Sequence, residues 1–286
     1  NNDKYNEYYI KNVLPLHGKY RNENIDTLLI NDNNINGENL YFIPDSDRVD
    51  YTNIDTYSID PDGCEDADDA FSIYEERDQL YLAIHIADPT HFIKIDSILW
   101  KDIINRVVTK YPLGCPPIHM IPHIIMEKCS LMENTHGNLK SAITICTEIS
   151  KSTFLPIGNI KLQFSVLRVK KENAFTYSTA SILGDDYPAI YYGLKISNAL
   201  QNRRKEETLG VKLSEINQST IKIQNSIPYL YRDTLEEMKM KQMIAEFAIF
   251  ANTFIGEYLK INMNGHGIFR TCNAKDWLSS VSNNIT

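Results

Sequence analysis

The chain has 286 residues, 43% of them apolar, and a formal net charge of −8. That length and apolar fraction suit one large domain or two smaller ones around a buried core, and the acidic balance excludes a generic basic coat protein for nucleic acid. The chain contains no run of about 18 uninterrupted apolar residues, which excludes a membrane-spanning helix. The acidic excess is concentrated in one run, so an enzyme that takes nucleic acid into a local channel stays open. Cysteines at 64, 115, 129, 146 and 272 form no Cys-x-x-Cys pair, which points to an intracellular, reducing compartment, with the cytoplasm as first expectation. The chain opens on Asn rather than Met and has no visible signal peptide, so it reads as an excised piece.

Residues 1–47 are polar and Asn-rich, with strand-like pieces at 27–30 and 40–43 between turn clusters. An ordered linker packed on the domain after it is the expectation. Residues 51–59, 71–73 and 80–86 alternate as strands do. Between the first two lies Asp60-Pro61-Asp62-Gly63-Cys64-Glu65-Asp66-Ala67-Asp68-Asp69, with six carboxylates in ten residues and no Lys or Arg between Arg48 and Arg77. This run is the corner between two strands. Asp-Pro-Asp-Gly is also an ordinary turn sequence, so a solvated turn is one reading. The other is a cation site, because like charges beside core strands are costly unless a cation holds them. The spacing is not that of an EF-hand. Carboxylate oxygens suit Mg²⁺ or Mn²⁺, ions that serve phosphoryl chemistry by holding a phosphate and activating water.

Further along, residues 98–108 have helical spacing, followed by Tyr111-Pro112-Leu113-Gly114 and a proline-rich stretch to Pro122. Cys115, His119, His123 and Cys129 could be drawn as a zinc site, but Pro116, Pro117 and Pro122 argue against the helix that would align the two histidines. Residues 142–148 and 159–169 read as strands. Lys161, Arg168, Lys170 and Lys171 could line a phosphate path or guard a strand edge. A helix from about residue 190 presents Arg203, Arg204 and Lys205 as a solvent face, and 207–229 reads as a short strand pair or loop. Thr234 and Glu237 form a capping box. The helix they open is apolar on most of its circumference, which predicts burial. Glu246 in its middle then needs a partner.

Arg48-Val49-Asp50-Tyr51, Ser58-Ile59-Asp60-Pro61 with Glu65-Asp66-Ala67-Asp68-Asp69-Ala70, and Ala83-Ile84-His85-Ile86-Ala87-Asp88-Pro89-Thr90-His91-Phe92 closely resemble, in order and spacing, the start of the catalytic domain of the ribonuclease II / ribonuclease R (RNB) family. The segments at 129–131, 168–171, 175–177 and 243–252 also line up with it. The resemblance implies an α+β domain in which twisted, mostly antiparallel strands surround a buried helix, with more helices outside. Residues 48–286 would be that domain without its C-terminal part, and 1–47 a linker or the remnant of a preceding OB-type barrel. The implied activity is Mg²⁺-dependent hydrolysis of single-stranded RNA from the 3′ end, releasing nucleoside 5′-monophosphates. Carried over residue by residue, Asp60 and Asp69 would be direct Mg²⁺ ligands, with Mn²⁺ a possible substitute. Asp66 would complete or orient the metal shell, and Asp68 would act on a second metal or the attacking water. Tyr111 would stack on the RNA, where each base–aromatic contact contributes about 1–3 kcal/mol. Glu246 would meet a sugar 2′-hydroxyl, which separates RNA from DNA, and Arg270, on the strand expected after that helix, would contact the RNA.

The chain departs from the family pattern in three places. Its order is Tyr-Pro-Leu-Gly, Cys272 stands where the family often has His, and the downstream Ser-Pro-Ile-Arg-Arg-Tyr segment, whose arginine neutralises developing phosphoryl charge, has no match. The C-terminal RNA-binding barrel has none either. Two other classes therefore remain: a pseudo-nuclease or scaffold that binds RNA without cutting it, and a different metal-dependent phosphodiesterase with no preference for RNA.

Overall fold

The alternating apolar residues at 80–86 lie in the middle of a five-stranded sheet in the computed structural model, which describes residues 23–35, 43–64, 66–111, 117–207, 219–224, 227–267 and 269. The strands are β1 (Val49–Tyr51), β2 (Ser58–Asp60), β3 (Asp69–Glu76), β4 (Gln79–Ala87), β5 (Leu139–Ile149), β6 (Pro156–Arg168), β7 (Ala174–Thr176), β8 (Ser219–Gln224) and β9 (Ile227–Arg232). The helices are α1 (Glu23–Ile35), α2 (Ile98–Arg106), α3 (His123–Cys129), α4 (Tyr177–Leu183), α5 (Pro188–Glu207) and α6 (Leu235–Asn262). The main sheet has the order β1-β6-β5-β4-β3. Its β3–β4, β4–β5 and β5–β6 pairs are antiparallel and its β1–β6 pair is parallel. A second parallel pair joins β2 to β7. The fold is α+β, with mostly antiparallel strands.

Because side chains alternate across a strand, β4 presents Leu80, Leu82 and Ile84 to one face and Ala83 and His85 to the other. The first face packs Phe71, Leu82 and Ile145 against Ile190 and Ile196 of α5 and Met243 and Phe247 of α6. The second face is built of small residues, Ala70, Ala83, Ala142 and Cys146, with Tyr51 and Leu167 closing on them. A buried polar row crosses it. Ser72 Oγ meets His85 Nε2 at 3.0 Å, His85 Nδ1 meets Thr144 Oγ1 at 2.7 Å, and Thr144 Oγ1 meets Ser165 Oγ at 2.5 Å. The imidazole has both ring nitrogens paired, which is what a buried histidine needs.

Several sequence expectations are corrected by this architecture. The strand-like piece at 27–30 belongs to helix α1, because Leu29 joins Leu99, Ile103 and Ile125 in a small core and Asn33 bonds to Phe92 O and Lys94 N–H. Tertiary partners thereby override a weak local preference. Of the 40–43 piece, residues 40–42 lie outside the described residues. The stretch 51–59 is two short strands, since a turn closed by Ile54 N–H on Tyr51 O sends β1 and β2 to different partners. Helix α2 stops at Arg106, where Val107 takes φ 69° and Val108 N–H bonds back to Arg106 O at 2.8 Å. That tight three-residue turn is strained for a β-branched residue. The capping box at Thr234 and Glu237 is present. The burial of α6 runs only from Glu237 to Ala251, and Tyr258 and Ile261 are exposed. At 1.5 Å per residue the helix is about 42 Å long and outruns the layer it covers. The polar stretch before it is the antiparallel hairpin β8–β9, and residues 208–218 lie outside the described residues. No helix among the described residues is long and apolar enough to cross a membrane.

Candidate active site

The acidic corner runs from Asp60, the last residue of β2, to Asp69, the first of β3. Gly63 takes φ 78°, a left-handed conformation that suits glycine, and Cys64 N–H closes the turn on Pro61 O at 3.1 Å. Beyond it the backbone is held on both sides. Ala67 is fully buried; its N–H donates to Ser130 Oγ at 3.2 Å and its carbonyl accepts Leu131 N–H at 2.9 Å. The Asp68 carbonyl accepts Ala87 N–H at 2.9 Å. With Ala67 turned into the core, Asp66 and Asp68 on either side line one cavity of about 760 Å³.

The clamp on Ala87 has its own anchor. Arg48 and Asp88, whose side chains are wholly buried, pair at 2.8 Å. The guanidinium also reaches Ser165 O at 3.4 Å and His91 Nδ1 at 3.1 Å, and Asp88 Oδ1 accepts Thr90 N–H at 3.1 Å. The segments beginning at Arg48 and ending at His91, separate in sequence, are thus one buried ion pair beside the acidic corner.

The electrostatics of the corner are those of crowded like charges. Burial, then the charge of Asp69, pushes the Asp60 carboxyl up to about 6. Burial raises Asp69, and burial followed by Asp66 and Asp69 raises Asp68. Asp60 Oδ2 is buried without a hydrogen-bond partner, which is costly for a carboxylate. A cation is the partner that would remove all three penalties, and an all-oxygen donor set fits a hard divalent ion. Among the described residues no three His, Cys, Asp or Glu groups are drawn to one point. Glu65 lies outside the described residues.

Two aromatic rings flank the corner. Tyr111 is 72% exposed and lines the same cavity as Asp66 and Asp68. Loss of solvent on its inner side, then those two carboxylates, raise its phenol. Tyr177, which sequence reasoning gave no role, opens α4 directly after β7. Burial and the charges of Asp60 and Asp69 push its phenol up to about 12. Lys241, itself paired with Asp233 at 2.5 Å, lies 5.5 Å from the Tyr177 ring centre. The signal for Tyr177 was its adjacency to β7, but that β7 pairs with β2 is a non-local fact.

The remaining candidates are spread out. Glu246 is buried and bound by Arg204 of α5 and by Gln242 Nε2 at 2.7 Å. The partner that its burial calls for is Arg204, which is thus not part of a solvent face. Lys161 and Arg168 stand seven apart on β6 and so point to opposite faces, while Lys170 pairs with Asp55 at 2.5 Å. The four cations make no single path. His119 and His123 rings lie 6.3 Å apart, and Cys129 is buried at the end of α3; Cys115 and Arg270 lie outside the described residues.

Comparison with known proteins agrees with this geometry. The family model described as "RNB domain" matches residues 48–281. The human exosome complex exonuclease RRP44 is 25% identical over 232 residues, covering 78% of this chain and 23% of its own length. In fold, the chain is similar to Mycoplasma genitalium RNase R in complex with ribose methylated single-stranded RNA, with a TM-score of 0.69 at 17% identity, over 89% of this chain and 39% of that one. It is also similar to yeast Ssd1, described as a pseudonuclease, with a TM-score of 0.59 at 15% identity, over 76% of this chain and 27% of that one. The chain therefore spans well under half the length of these relatives. With the acidic corner, the buried Arg48–Asp88 pair and the family match all falling on the same residues, the chain belongs to the RNB domain family.

Proposed function

We propose that this chain carries the metal-binding part of a Mg²⁺-dependent exoribonuclease that shortens single-stranded RNA from the 3′ end and releases nucleoside 5′-monophosphates, inside a reducing compartment. The observation that carries the reading is the acidic corner, whose backbone is fixed by Ser130, Leu131 and Ala87 so that Asp66 and Asp68 face one cavity with Tyr111. Asp60, Asp66 and Asp69 would hold the cation, which when bound polarises the phosphate and lowers the pKa of water. Asp68, which lines the cavity and whose carboxyl is raised by partial burial and by Asp66 and Asp69, would take the proton of the attacking water. Tyr111 offers a ring for the terminal base. Glu246 would meet a sugar hydroxyl only by releasing Arg204, so its first role is to hold α5 on α6.

The likeness to a described pseudonuclease favours a second reading, RNA binding without cleavage. The test uses 5′-labelled single-stranded RNA and DNA, with Mg²⁺ or EDTA, on this chain and on Asp68→Asn. A ladder shortening from the 3′ end on RNA alone, lost with EDTA and in Asp68→Asn, is the expected result. If RNA binds but stays intact with Mg²⁺ present, the assay is repeated on the chain extended by the C-terminal half of the family domain, where continued silence favours the second reading; equal cleavage of DNA favours a different phosphodiesterase.

A further inference from the structure

We infer that Ser130 is a positioning residue for the metal carboxylates, acting through the Ala67 peptide; this rests on the reading of the acidic corner as a metal site. Ser130 stands at the C-terminal end of α3, where its N–H bonds to Met126 O at 2.8 Å, and its side chain is buried. Its hydroxyl oxygen accepts the Ala67 N–H, and the next residue, Leu131, donates its N–H to the Ala67 carbonyl. One residue of the acidic loop is thereby gripped at both its backbone polar groups, one on each of its two flanking peptides, by consecutive residues of another segment. Ala67 has no side-chain freedom of its own, and its methyl is fully buried. Fixing its backbone therefore sets the direction in which both Asp66 and Asp68 leave the chain, toward the cavity that Ser130 also lines.

The effect expected on metal binding follows from how ligands are oriented. Groups that hold a ligand without touching the metal set its affinity about 10–100-fold. Leu131 keeps the Ala67 carbonyl in any Ser130 variant, because it contributes only backbone. Removing the hydroxyl frees the N–H of the Asp66–Ala67 peptide alone and loosens that peptide plane, from which Asp66 projects, while the Ala67–Asp68 peptide stays held. Glu127 and Lys140, which tie the far side of α3 to β5 through Glu127 O, are untouched by such a change, so the helix itself stays in place.

The test measures Mn²⁺ binding calorimetrically, without RNA, on this chain and on Ser130→Ala, Ser130→Thr and Ser130→Val, with the melting temperature of each recorded metal-free. The Thr and Val variants have nearly the same shape and differ in a hydroxyl for a methyl, so they carry the comparison even where the Ala variant folds poorly. Ser130→Thr is expected to bind as the parent does, and Ser130→Val and Ser130→Ala about tenfold more weakly. A Val variant that melts lower yet binds Mn²⁺ with the parent's affinity overturns the proposal and leaves the metal reading intact, since a purely structural hydroxyl would act that way. A parent chain whose Mn²⁺ binding is absent, or unchanged by Asp60→Asn, overturns the metal reading and the proposal with it.

Discussion

Asp60 concentrates the chemistry of the site in one side chain. Its folded carboxyl titrates near 6, against an ordinary value of 3.8. The folded chain therefore binds the proton more tightly than the unfolded chain, and the stability this contributes is present below about pH 4 and lost as pH rises through 6. A cation supplies at neutral pH what the proton supplies in acid. Mn²⁺ or Mg²⁺ is expected to raise the melting temperature by more at pH 7.5 than at pH 5. In Asp60→Asn the metal-free melting temperature at pH 7.5 should rise and the metal increment shrink. Equal increments at both pH values would show that the carboxyl is not part of the cation site. His85 acts in the opposite sense. Burial holds it near 3, so the unfolded chain takes up its proton first, and stability falls from about pH 6.5 downward. Tyr111 belongs to the same scale. Replacing its exposed ring by Ala should weaken single-stranded RNA binding by about 1–3 kcal/mol, regardless of base sequence, as read by filter binding on homopolymers.

At the scale of elements, the site depends on strand ends being fixed rather than on the loop itself. Arg48, just before β1, and Asp88, just after β4, form a pair from which water is excluded. Removing one partner leaves the other charge buried and uncompensated, at a cost of about 3–5 kcal/mol. Urea unfolding of Arg48→Met should show a loss of that order, and Asp88→Asn added to it should lose less than the two changes summed. Strict additivity would mean that the pair is not coupled. This level was only partly legible in the sequence. The acidic corner between two strands, the capping box of α6 and the alternation of β4 are local signals, and each is present. The Arg48 and Asp88 segments were recognisable as motifs, but that they are two halves of one ion pair depends on β1 lying parallel to β6 across the sheet. The same holds for Tyr177, whose nearness to Asp60 comes from the β2–β7 pairing. Arg204 read as solvent-facing because its partner, Glu246, lies on another helix and neither neighbourhood betrays the other.

For the molecule as a whole, the disposition of charge decides how RNA could be held. The chain is acidic by eight charges, and several of its cations are committed to carboxylates. Arg48 is buried on Asp88, Arg204 is spent on Glu246, Lys170 on Asp55 and Lys241 on Asp233. Lys161 and Arg168 face opposite ways from β6, so these two do not follow one phosphate backbone. If stacking on Tyr111 and a cation at the acidic corner hold single-stranded RNA, few counterions are released on binding. Each phosphate neutralised by Lys or Arg contributes about −0.7 to the slope of log affinity against log salt concentration. At fixed Mg²⁺, the slope for this chain is expected to be shallow, about −2 or less in magnitude, corresponding to roughly three phosphates or fewer. Affinity should instead follow Mg²⁺ closely and collapse with EDTA. A KCl titration by fluorescence anisotropy separates the cases: a slope near −5, insensitive to EDTA, would mean that a basic path carries the RNA and that the acidic corner is not its anchor.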